Sequence, residues 1–181
     1  MKQICRVLIL MLALAGGSAV FASEADLDGL AAIQPLVGDW TGVGEGDPGT
    51  SAAARHAERA QDGRYIMVAG RSVYPKQDKN PKGEVHTSLD VWSFDKARRL
   101  IVMRQFDNLG FVSTYVQDRA ASREGHVVMV SESMENVPAG WRARYTYDFI
   151  GADEYRELFE LDPDGKGFQT YVTGRYLRDR P

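Results

Sequence analysis

The feature that most constrains this chain is its rhythm. After Pro35, strand-like runs recur every ten to twelve residues, separated by turn residues, and no helical period of apolar positions is sustained. The clearest run is WRARYTYDF. Trp141, Ala143, Tyr145, Tyr147 and Phe149 share one face, and Arg142, Arg144, Thr146 and Asp148 share the other. Period two with aromatic residues suits a half-buried strand.

The same reasoning predicts strands over Leu36–Glu45, Ala52–Gln61, Tyr65–Tyr74, Glu84–Phe94 and Leu100–Phe106. It predicts five more over Phe111–Arg119, His126–Ser133, Trp141–Ile150, Glu154–Leu161 and Phe168–Arg178. Asp107-Asn108-Leu109-Gly110 and Pro163-Asp164-Gly165 read as tight connections between them. Asp162-x-Asp164-Gly165 has the start of a calcium loop but lacks the later ligands, so a hairpin is expected there. Ser51–Ala60 (SAAARHAERA) has the propensity of a helix, yet it alternates acceptably as a strand, and sheet context overrides propensity. We read it as a strand. Before the strands, Leu27, Leu30 and Ile33 in Ala25–Ile33 have helical spacing, so one or two turns are expected, stopped by Pro35.

Ten short strands joined by hairpins form a meander, and closure hides its two edges. The expected fold is all-β: a ten-stranded antiparallel up-and-down barrel with a short N-terminal helix. A barrel of eight strands can already hold one small ligand, and ten leave more room.

The chain start reads as an export leader. Lys2 and Arg6 precede the apolar run Val7–Ala15, and Val20-Phe21-Ala22 offers a cleavage site. The expected division is a signal peptide over 1–22 and a barrel domain over 23–181, placing the protein outside the cytoplasm. The run is too short to span a bilayer comfortably. The single cysteine, Cys5, leaves with the leader, so the domain holds together without disulfides. Of 22 basic and 25 acidic residues, Lys2 and Arg6 lie in the leader, so residues 23–181 carry a net charge of −5. That balance argues against nucleic-acid binding and gives no basic patch for a membrane surface.

Val37–Gly46 (VGDWTGVGEG) is rich in glycine but is no phosphate loop. Asp47-Pro48-Gly49 breaks any following helix, and no Lys-Ser/Thr pair closes the motif. Gly38 and Gly42 share a face with Trp40, which suits a strand that bends and gives an indole room. Trp40 is expected to plug one end of the barrel.

Gly38-Asp39-Trp40 resembles the G-x-W signature of the calycin superfamily, which includes lipocalins, fatty-acid-binding proteins and nitrobindins. The resemblance extends as a pattern over Leu27–Asp179. It implies that Trp40 packs against an arginine of the last strand. Tyr171-Val-Thr-Gly-Arg175-Tyr-Leu-Arg178 offers Arg175 and Arg178, and Arg178 is favoured. Ten-stranded members include nitrobindin-like heme barrels and exported bacterial barrels. Nitrobindin-like proteins place a heme-ligating histidine on the final strand. The equivalent position here is Tyr171, and tyrosine can ligate ferric heme, so heme is a possible cofactor, with Tyr171 or His86 as the ligand to test.

Other candidate binding residues come from the strands. Glu84, His86, Ser88 and Asp90 share one face, and a carboxylate near an imidazole can orient it for acid–base work. We expect that face to be solvated, with Val85, Thr87, Leu89 and Val91 inward, because charged groups are rarely buried unpaired. Arg104 shares a face with Val102 and Phe106. If that face is inward, Arg104 would meet an anionic group; if Ile101 and Met103 face inward, it lies outside. Tyr115, Tyr145, Tyr147 and Tyr171 are candidates for a cavity lining, or plain core. Neither His56 nor His126 has a ligand partner nearby in sequence, so no metal site is expected. There is no G-x-S-x-G, C-x-x-C or H-E-x-x-H.

The expected function is to hold a small, largely apolar or amphipathic molecule, with any anionic group at Arg104. The alternatives are a heme barrel with redox or reactive-nitrogen chemistry, and an enzyme using His86 and Glu84 as acid and base.

Overall fold

A computed structural model describes residues 29–180. The leader over 1–22 lies outside these residues, as do the first residues of the expected helical stretch.

The chain forms ten strands: β1 (Gly38–Gly46), β2 (Gly49–Ala60), β3 (Tyr65–Tyr74), β4 (Glu84–Asp95), β5 (Leu100–Asp107), β6 (Val112–Gln117), β7 (His126–Glu135), β8 (Arg142–Phe149), β9 (Glu154–Asp162) and β10 (Gln169–Arg178). Each pairs antiparallel with its neighbours in sequence, and β10 pairs with β1, closing the barrel. No edge is left unpaired, which removes the hazard of free strand edges. β2 covers the segment with helical propensity. Its alternation decides the matter: Ser51, Ala53 and Ala57 are buried, while Ala52, Ala54, His56 and Glu58 are exposed.

The expected helix is a 3-10 turn over Ala31–Leu36, and Pro35 lies inside it rather than after it. Proline is tolerated there because the hydrogen bonds run from Ile33 to Leu30 and from Val37 to Gln34 and ask nothing of its missing N–H. A three-residue repeat puts Leu30, Ile33 and Leu36 on one side, all buried. They stop the end of the barrel where β1 begins. Trp40 sits above them, 1% exposed, and its indole N–H donates to the Leu36 carbonyl at 2.7 Å.

Closure is fastened at one point. Trp40 is registered opposite Arg178, and the guanidinium lies 4.1 Å from the centre of the indole. Arg178 also donates to the carbonyls of Pro35, Val37 and Ala152, at 3.0, 2.7 and 2.7 Å. Arg175 points outward instead, to Glu154. The glycines serve this joint differently from the expectation of room for the indole. A Cβ on Gly38 would strike the Arg178 guanidinium, and one on Gly42 would lie 2.6 Å from the Tyr176 ring.

The stopped half is filled by Ile66, Trp92, Ile101, Met103, Val127 and Met129 around Trp40. The other half is not filled. That division, a dry plug below and a cavity above, positions everything that follows.

Candidate functional site

The cavity has a volume of about 350 Å³. Connecting segments form its mouth, through Pro48, Leu109, Phe111, Val137 and Trp141. Inward residues from all ten strands form its wall and floor, with β1 and β7 contributing Gly44 and Met134.

The aromatic wall is built on β8 and its neighbours. Tyr145 stacks on Phe159 at 4.5 Å between ring centres, and meets Tyr115 edge-on at 5.2 Å. Tyr147 lies 5.8 Å from Tyr145 and leans on Trp92 of the plug. Tyr171 stands nearer the mouth, edge-on to Phe159. Burial pushes the hydroxyls of Tyr145 and Tyr147 well above the ordinary phenol range. The structure thus brings Tyr115, Tyr145, Tyr147 and Tyr171 to one lining.

Two expectations about strand faces are corrected. On β4 the polar set faces inward: Glu84, His86, Ser88 and Asp90 all line the cavity. Val85 and Leu89 face solvent, 43% and 39% exposed. Trp92 fixes this parity, because its burial in the plug carries every second residue before it to the same side. Charged groups are tolerated on that face because the space inside is not closed hydrocarbon; it is a cavity that holds polar partners for them. On β5, Ile101 and Met103 pack inward, and Gln105 and Asp107 follow them. Arg104 therefore lies on the outer wall, where it donates to Ser93 Oγ at 3.3 Å. It cannot reach a molecule held inside.

The interior cation is Arg55, on the inward face of β2. Its Nη1 donates to the carbonyls of Ala54 and Arg71 and to Ser72 Oγ, and its Nη2 lies 3.9 Å from Glu157 Oε1. The guanidinium also rests 4.9 Å from the Tyr176 ring. Burial opposes its charge, but Tyr176 and Glu157 more than compensate, so it stays protonated. Opposite lies Asp90, 6% exposed, whose Oδ1 accepts from Gln105 Nε2 at 3.0 Å. Gln105 in turn meets the Tyr145 hydroxyl. Burial pushes the Asp90 carboxyl up to about 7, against the pull of Gln105 and Arg55. Glu157 is pushed up by burial too, with Arg55 opposing.

Nearer the mouth, His86 Nε2 is buried without a hydrogen-bond partner, 3.8 Å from Asp107 Oδ2. The other Asp107 oxygen accepts from the backbone N–H groups of Leu109 and Phe111. Asp107, and not Glu84, is thus the carboxylate that faces the imidazole; Glu84 accepts from Asn80. His56 and His126 lie outside the cavity and pair with Asp39 and Asp148. Among the described residues, no cluster of three or more His, Cys, Asp or Glu side chains is arranged around a metal position.

Sequence reasoning missed Arg55, Gln105, Asp107 and Glu157. For Arg55 a signal existed: Ala53, Arg55 and Ala57 share a face, and small neighbours leave a long side chain room to lie along the sheet.

No family model and no curated protein matches the chain. Among solved structures, it is similar to the crystal structure of Rv2717c from M. tuberculosis, with a TM-score of 0.60 and 15% identity over 84% of this chain and 98% of that one. A weaker likeness, TM-score 0.41 and 11% identity over 82% and 97% of the two chains, is to EF1p2_mFAP2b bound to DFHBI. The first likeness shows a shared fold, in keeping with the closed ten-strand antiparallel sheet.

Proposed function

We propose that this protein belongs with the exported calycin-type barrels and holds one small amphipathic molecule. The observation that carries this reading is the cavity itself. Half of the barrel is filled by buried apolar side chains, and half is left open behind aromatic rings, with polar groups gathered at the floor. Leaving about 350 Å³ unfilled sacrifices burial and dispersion that a storage-free barrel would keep. Pockets of this size, apolar-walled with a few convergent polar groups, suit small ligands.

The test is titration with the hydrophobic fluorophore N-phenyl-1-naphthylamine. Saturable uptake at one site per chain is expected, and Ser88→Phe, which fills the lining, should abolish it. A linear, non-saturating response would overturn the proposal. Export is tested separately by N-terminal sequencing of the protein from the extracytoplasmic fraction, with a start at Ser23 expected and a start at Met1 contradicting it.

Heme fits these residues poorly. Ferric iron is held by a phenolate, yet burial raises the Tyr171 hydroxyl, and Glu84, Tyr74 and Asp47 around it raise it further. His86 presents its buried nitrogen to Asp107 rather than to the open cavity. Added heme should give no saturable Soret shift, and Tyr171→Phe should leave the spectrum unchanged.

The enzyme reading keeps a geometric basis in a changed form, with Asp107 in the place expected for Glu84. A rate lost in His86→Gln and in Asp107→Asn, but retained in Glu84→Gln, would be its signature.

A further inference from the structure

The proposed anionic group at Arg104 has lost its site, and the cavity's own charges point the other way. Its lining carries one permanent cation, Arg55, against four carboxyl groups: Glu84, Asp90, Asp107 and Glu157. At the floor, Arg55 is met by Glu157, and its Nη1 donors are committed to wall carbonyls and Ser72. Arg55 is shared between two carboxyl groups, Glu157 and Asp90, so the floor holds one cation against two acids. The hydrogen-bond donors to Asp90 are both neutral, the Gln105 amide and the Ser88 hydroxyl. Tyr115, Tyr145 and Tyr147 line the same cavity and lie close enough to interact with its charge. A buried carboxyl group among aromatic side chains favours a cation.

We infer that the floor of the cavity selects a cationic head group, a protonated or quaternary amine, seated against Asp90 with its apolar part along the Tyr145–Phe159 stack. This rests on the reading of the cavity as a small-molecule site. An anionic head would join the Arg55–Asp90–Glu157 group as a further negative charge; a cationic head neutralises it.

The selection should depend on pH, because a proton on Asp90 is the other way to neutralise the group. The charged and titratable groups that share the cavity with Asp90 are Arg55 from β2, Asp107 from β5, Glu157 from β9, and Glu84 and His86 on its own strand. The tyrosines that face it, Tyr115, Tyr145, Tyr147, Tyr155 and Tyr176, are all raised by burial and stay neutral through the relevant range. As pH rises, Asp90 loses its proton and the cation gains its partner.

Calorimetric titration of the protein with octyltrimethylammonium and octanesulfonate tests this, since both probes keep their charge at every pH used. The cation is expected to bind about tenfold or more tightly than the sulfonate near pH 8.5, and its affinity to fall about tenfold near pH 5.5. Asp90→Asn should abolish the preference and its pH response. Arg104→Gln, on the outer wall, should keep both, which separates the interior carboxyl from a change of charge elsewhere on the barrel. The wild-type comparison stands without any variant. Preference for the sulfonate at pH 8.5, or a preference that survives Asp90→Asn, would overturn the inference. If neither probe binds while the naphthylamine is still taken up, this inference fails and the cavity reading stands. If the naphthylamine is also refused, both fall.

Discussion

Arg178 concentrates three hydrogen bonds and a cation–π contact on one guanidinium at the seam of the barrel. Arg178→Met keeps the aliphatic stem and loses all four. The carbonyls of Pro35 and Val37 then lack their donor, and the expected loss is about 2–4 kcal/mol by urea unfolding. Arg175→Met, at the outward position three residues earlier, should leave the urea midpoint nearly unchanged, as loss of an exposed pair does. Asp90 gives a second prediction at this scale. Its carboxyl titrates at about 7 in the folded chain against an ordinary 3.8, because burial resists its charge. The folded state therefore holds a proton that the unfolded state has released over that window. Stability is full below it and falls as pH rises toward 7, by an amount on the order of 4 kcal/mol. Asp90→Asn should flatten that slope and raise stability at pH 8. A slope unchanged by the substitution would mean that Asp90 is ionised throughout.

At the scale of elements, legibility followed periodicity. All ten strands were readable within a few residues because their turns are marked by Gly, Pro, Asp and Asn. The faces were readable only where one parity was clearly apolar, as in Trp141–Phe149. On β4 and β5 both parities carry apolar residues, and sequence alone offered no anchor. The missing information was long-range: Trp92 and Met103 belong to the plug, and each drags its whole strand face inward. The G-x-W resemblance placed Trp40 and Arg178 correctly because that joint is local to two strand ends. It said nothing about Arg55 or Asp90, which lie on walls the motif does not touch. β2 supplies the element-scale prediction. Ala54 points outward, between Thr41 and Arg71 on the neighbouring strands. Ala54→Thr should raise stability by about 0.5 kcal/mol, since β-branched residues suit an exposed strand position. In a helix the same change would lower it by a similar amount.

Across the whole molecule, the two ends of the barrel do opposite work. The end carrying the 3-10 turn, Trp40 and Trp92 is packed and holds the sheet closed without a disulfide. That rigidity lets the other end keep an open interior, with charged side chains facing one another across it. The measurement that tests this account most directly is native mass spectrometry of the protein isolated under non-denaturing conditions, followed by the same sample after denaturation. We predict a one-to-one adduct of a few hundred daltons that denaturation releases and that Ser88→Phe prevents. A bare chain mass in every preparation, with no small molecule retained even after incubation with N-phenyl-1-naphthylamine, would contradict it.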